Sequence, residues 1–75
     1  MNTVWAYIVI GHSSFSTGQI AIMQLPDRYE FLTTYERQAK IRACEALKIK
    51  ESEAAVLDFK ILGENVLFLK YLGGN

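Results

Sequence analysis

Two hydrophobic periods alternate along the 75-residue chain, and the change from one to the other sets out its elements. Val4 to Ile10 is a β-branched and aromatic run, and Gln19 to Leu25 (Gln-Ile-Ala-Ile-Met-Gln-Leu) is a second segment of matching length; both read as strands. The segment between them, Gly11-His12-Ser13-Ser14-Phe15-Ser16-Thr17-Gly18, is bracketed by glycines and dense in small hydroxyl residues, so it reads as the loop of an antiparallel hairpin. After Pro26 the period becomes 3.6. At about 100° per residue, Leu32, Tyr35, Ala39, Ala43 and Ala46 form one stripe flanked by Tyr29 and Leu47, while Glu30, Thr34, Arg37, Glu45 and Lys48 lie opposite. Asp27 with Glu30 three residues later fits a capping box, which predicts a helix over about 27–48. The alternative is a short strand at Tyr29–Leu32 with Thr33-x-x-Glu36 as the cap. Small Ala39, Ala43 and Ala46 would let the helix sit close to a sheet. A charged connection, Glu51 to Glu53, leads to two more apolar segments around Gly63-Glu64-Asn65, a second hairpin.

The expected fold is therefore α+β: one domain over 1–75, order β-β-α-β-β, a four-stranded antiparallel sheet with one long helix on one face. The strands are expected at about 3–10, 19–25, 55–62 and 66–72.

Strand alternation then raises a question about the second face of the sheet. Val4, Ala6, Ile8 and Ile10 share one side of the first strand, and Trp5, Tyr7 and Val9 the other; in the second, Ile20 and Ile22 oppose Ala21, Met23 and Leu25. Leu57, Phe59 and Ile61 lie opposite Asp58 and Lys60, and Leu67, Leu69 and Tyr71 lie opposite Val66, Phe68 and Leu72. Most of the strands are apolar on both faces, whereas a half-solvated antiparallel sheet alternates apolar and polar. One helix covers one face, so the other is expected to meet protein. A second copy stacked sheet to sheet is the first expectation, a different protein the second and closure into a partial barrel the third. The candidate interface is Trp5, Tyr7, Val9, Met23, Leu25, Val66 and Phe68.

Composition strengthens that expectation. At this length a domain buries only roughly 60% of its unfolded surface and needs a staple, tight packing or a partner. A lone cysteine, Cys44, cannot close an internal disulfide, and with a single histidine the chain cannot build a zinc site of the usual ligand types. Eight Lys+Arg balance eight Asp+Glu, so neither nucleic acid nor an anionic membrane is favoured as a partner, and charge does little to keep copies apart. No apolar run approaches the ~20 residues of a membrane span, the start lacks a signal-peptide arrangement, and a reducing compartment suits the lone thiol; cytoplasm is expected.

Candidate chemistry is sparse. The loop residues His12, Ser13, Ser14 and Ser16 form a candidate loop site, because a histidine beside a serine can activate a hydroxyl. No acid in that segment orients the imidazole, and the Gly-Lys-Ser/Thr ending of a phosphate loop is missing. Cys44, on the helical side of Arg37, Lys40 and Lys48, could act as a thiolate or could be a small buried residue. The basic residues Arg28, Arg37, Lys40, Arg42, Lys48 and Lys50 scatter around the helix among Glu30, Glu36 and Glu45, as on a solvated surface. No catalytic, metal-binding or cofactor-binding residues are assigned. The expected function is a non-enzymatic protein-interaction module, accessory, regulatory or inhibitory, acting as a homodimer. The alternatives are a nucleic-acid-associated regulator using the strand aromatics or helix basics, and a small-molecule enzyme or binder with the 11–18 loop at a dimer interface.

Overall fold

The structure, a computed structural model, describes residues 2–63. Strand β1 (Thr3–Gly11) runs through the middle of a three-stranded antiparallel sheet, between β2 (Gln19–Pro26) and β3 (Ala55–Gly63), in the order β2-β1-β3. Helix α1 (Leu32–Leu47) follows β2, and a 3-10 turn (Glu51–Glu53) leads from it into β3. Within the described residues the fold is thus α+β with one helix and three strands. The expected fourth strand, with Val66 and Phe68 of the candidate interface, lies outside them.

The alternation in β1 explains its central place. Val4, Ala6, Ile8 and Ile10 are buried on one face, and all but Val4 are fully enclosed. The hairpin register pairs Val4 with Leu25, Ala6 with Met23 and Ile8 with Ala21, so these β2 residues join the same face. Helix α1 closes over it with Tyr35, Ala39 and Ala43. The two alanines are small enough to bring the helix axis close to the sheet, and Met23, Phe59 and Ile61 pack around the edges. Met23 and Leu25 therefore belong to the helix side of the sheet and not to its outer face. Alternation within β2 separates its two sides, but only the hairpin register decides which side is in phase with Ala6 and Ile8.

The helix starts at Leu32, five residues later than the capping-box reading places it. Asp27 is engaged elsewhere: its carboxylate accepts the Tyr35 hydroxyl at 2.7 Å, and the Tyr35 oxygen accepts the Tyr29 N–H at 3.2 Å. The two rings meet edge to face, with centroids 5.0 Å apart. These contacts hold the connection after β2 outside the helix, and no strand forms at Tyr29–Leu32 either. Phe31, extended at φ −116°, stands at the N-cap position without a side-chain cap, so Thr33 is not the cap. Leu32 (62% exposed) and Ala46 lie outside the buried stripe, and Cys44 enters it. At the other end Lys48 adopts the left-handed conformation, φ 60° and ψ 46°. Its N–H reaches the Cys44 and Glu45 carbonyls, and the Ile49 N–H donates to the Cys44 oxygen at 3.1 Å. This closes the last turn as a Schellman-type stop.

β3 corrects the parity expected of it. Its register against β1 shifts between Val9 and Ile10 and again between Trp5 and Ala6. The first irregularity leaves Leu57 between the pairs Ile10–Val56 and Val9–Asp58. Such a bulge re-aims a side chain. Val56, Phe59 and Ile61 face the core, and Leu57 leans over Gly11 and Gly18 on the opposite side.

Candidate functional site

The face of the sheet away from α1 collects most of the apolar side chains that the helix does not bury. Trp5, Tyr7 and Val9 stand along its centre, half-buried by one another and by their neighbours. On β2 the outer positions are Ile20, 64% exposed, and Ile22, and on β3 the bulge brings in Leu57, 60% exposed. Alternation places Ile20, Ile22 and Gln24 outward because Ala21, Met23 and Leu25 point in. Of the candidate interface, the structure brings Trp5, Tyr7 and Val9 together and adds Ile20, Ile22 and Leu57. The exposed isoleucines follow from strand parity once the phase is known; Leu57 depends on a bulge that the sequence does not announce.

A polar rim borders this face. The Tyr7 hydroxyl donates to the Asp58 carboxylate at 3.1 Å across β1 and β3, and Gln24 Nε2 donates to Thr3 Oγ1 at 3.1 Å across β1 and β2. The contact with Asp58 raises the Tyr7 phenol above its ordinary value, chiefly because the protonated phenol donates a hydrogen bond to the carboxylate. An apolar centre with a satisfied polar margin is the anatomy of a protein–protein contact.

The hairpin loop holds the other candidate residues. His12 Nδ1 lies 2.6 Å from Ser14 Oγ and accepts the Ser14 backbone N–H at 3.0 Å. That backbone bond makes Nδ1 the acceptor, so this geometry selects the tautomer with the proton on Nε2. Nε2 faces Glu53 Oε1 at 3.6 Å, an acid supplied by the 3-10 turn before β3. Phe15 lies against the imidazole with centroids 5.4 Å apart, and its N–H donates to the His12 carbonyl. The arrangement ties the loop to the start of β3. A hydroxyl bonded to an imidazole two residues before it is a local turn contact, and Ser13, Ser14 and Ser16 are all exposed.

A shallow groove of about 420 Å³ opens between the first turns of α1 and β3, lined by Thr33, Thr34, Glu36, Arg37, Lys40 and Val56. The other basic residues are dispersed: Arg28 lies over the Tyr29 ring at 5.6 Å, and Arg42 Nη1 donates to the Gln24 carbonyl at 2.9 Å. They do not form one stripe with the strand aromatics. Cys44 is 1% exposed, and its burial pushes the thiol up, the opposite of what a reactive thiolate requires. No helix among the described residues is long and apolar enough to cross a membrane. Comparison with known protein families, curated proteins and solved structures finds no match for this chain.

Proposed function

We propose that this protein is a small, non-enzymatic interaction module, an accessory, regulatory or inhibitory protein. It acts by binding protein through its sheet, and its first partner is a second copy of itself in a cytoplasmic homodimer. The observation that carries this reading is the outer sheet face, where Ile20, Ile22 and Leu57 stand exposed around Trp5, Tyr7 and Val9. A contiguous apolar face rimmed by polar residues is characteristic of interaction sites. A neutral chain offers little repulsion between copies. In the same reading Val66–Leu72 supplies a fourth antiparallel strand beside β3 and gives the order β-β-α-β-β; Gly63, at φ 96° at the end of β3, suits the turn this requires.

Light scattering on a sizing column, over a wide dilution range, tests the reading directly. A mass near twice the 8.5 kDa chain that survives dilution is the expected result. A chain of 8.5 kDa at every concentration would remove self-association from the proposal.

A further inference from the structure

Among the described residues β2 and β3 are the outer strands of the sheet, and they differ in how open they are to pairing with a second chain. β3 carries Asp58 and Lys60, whose charges discourage pairing with a second copy of the same strand, and its outer edge is the one the fourth strand of the proposed fold takes up. β2, Gln-Ile-Ala-Ile-Met-Gln-Leu-Pro, has no charged residue and pairs with β1 without a shift from Thr3–Pro26 to Ile10–Gln19. Among the described residues its other edge meets no strand.

One hydrogen bond fixes the backbone directions along that edge. The Asp27 N–H donates to the Asn2 carbonyl at 3.1 Å, so residues in phase with Asp27 (Leu25, Met23, Ala21 and Gln19) turn their amides towards β1. Gln24, Ile22 and Ile20 therefore turn theirs away. Two contacts agree with this phase: the Gln24 carbonyl is free to accept Arg42, and Pro26, which has no N–H, falls where none is needed. Arg42 and Pro26 also blunt this end of the edge. At the other end the N–H and C=O groups of Ile20 and Ile22 meet no strand among the described residues, beneath the most exposed apolar side chains of β2.

We infer that β2 is the contact between copies: two molecules pair antiparallel, edge to edge, about a twofold axis at Ala21. Ile20 then exchanges backbone hydrogen bonds with the partner's Ile22, and Ile22 with the partner's Ile20. The isoleucines of both copies adjoin on the outer face. A second copy fits this edge because an uncharged strand meets no like charge when paired with itself, and because the twofold requires donors and acceptors at positions symmetric about its centre. The pairing joins the two sheets into one, so the copies meet along the β2 margin of the outer apolar face, and the rest of that face is left to the protein that the module serves. The inference rests on the proposed self-association and adds its geometry.

The test compares the dissociation of the parent chain with that of Ile20→Pro, Ile20→Thr and Leu57→Lys. Proline at position 20 removes an outward N–H and leaves the ladder to β1 intact; threonine keeps the donor and the strand preference. Ile20→Pro should weaken the dimer at least about tenfold, while Ile20→Thr and Leu57→Lys stay dimeric. Amide exchange provides a readout that does not depend on tolerance of the variant: at Ile22 it should slow as the parent concentration rises. An Ile20→Pro dimer as tight as the parent overturns the inference, and so does concentration-independent exchange at Ile22. If Leu57→Lys alone dissociates, the sheets stack face to face, so the edge contact fails while self-association stands. A parent that is monomeric throughout removes both.

Discussion

Lys48 stops the helix in a conformation that costs an L-residue energy, so a residue that adopts it freely should stabilise the fold. At φ 60° and ψ 46° its Cβ crowds the backbone carbonyl, which costs a non-glycine residue about 1–2 kcal/mol. Glycine removes that cost but brings a larger unfolded-state entropy, about 0.5–1 kcal/mol. Lys48→Gly should therefore stabilise the fold by about 0.5–1 kcal/mol net. A 75-residue domain has roughly 4–11 kcal/mol of stability in all, at about 0.05–0.15 kcal/mol per residue. The shift in melting temperature should be about 2–8 °C. Lys48→Ala is the control, since it removes the same ammonium group and keeps the strained backbone. Urea unfolding followed by circular dichroism, with all variants at one protomer concentration, separates the two effects. If glycine is no more stable than alanine at position 48, the strain argument is wrong.

The other predictions concern the outer face and the tyrosines. A Cβ at Gly18 would sit 2.7 Å from Val9 Cγ1, a short branched side chain with little room to move, whereas one at Gly11 meets only the flexible end of Leu57 at 3.1 Å. Gly18→Ala should cost about 1–3 kcal/mol and Gly11→Ala less than about 1 kcal/mol, measured by the same urea titration; equal losses would contradict the packing. The Tyr35 phenol is raised above its ordinary value, chiefly by its hydrogen bond to Asp27. The folded state thus holds this proton more tightly than the unfolded chain does. Its contribution is complete below the ordinary tyrosine value near 10 and is lost as pH rises through the higher folded value. The urea midpoint should therefore fall more steeply above pH ~10 in the parent than in Tyr35→Phe; parallel slopes would exclude the linkage.

What the sequence revealed and what it hid divide along one physical line. β1, β2 and β3 lie where the β-branched and alternating segments are, because those signals act within a few residues. The start of the helix could not be read this way. Asp27 has the form of a cap, but the Tyr35 hydroxyl eight residues later takes its carboxylate, and only tertiary packing brings them together. The same holds for Leu57, whose side of the sheet is reversed by a bulge, and for Met23 and Leu25, whose side depends on the hairpin register. At the candidate sites, the sequence gathers Trp5, Tyr7 and Val9 on one strand but cannot show Glu53 arriving beside His12 from a distant turn.

The strand order also imposes a sequence in time. β1 and β2 are joined by a short loop, so their hairpin can close locally and early. β3 must find the opposite edge of β1 across most of the chain, as the Tyr7–Asp58 pair, 51 residues apart, shows. Loop-closure entropy makes that the late step. Until it is taken, the middle strand of the finished sheet is itself an open edge. In folding, β1, the most apolar of the three described strands, is therefore exposed along one edge until β3 pairs with it. The speed with which β3 arrives sets how long that exposure lasts.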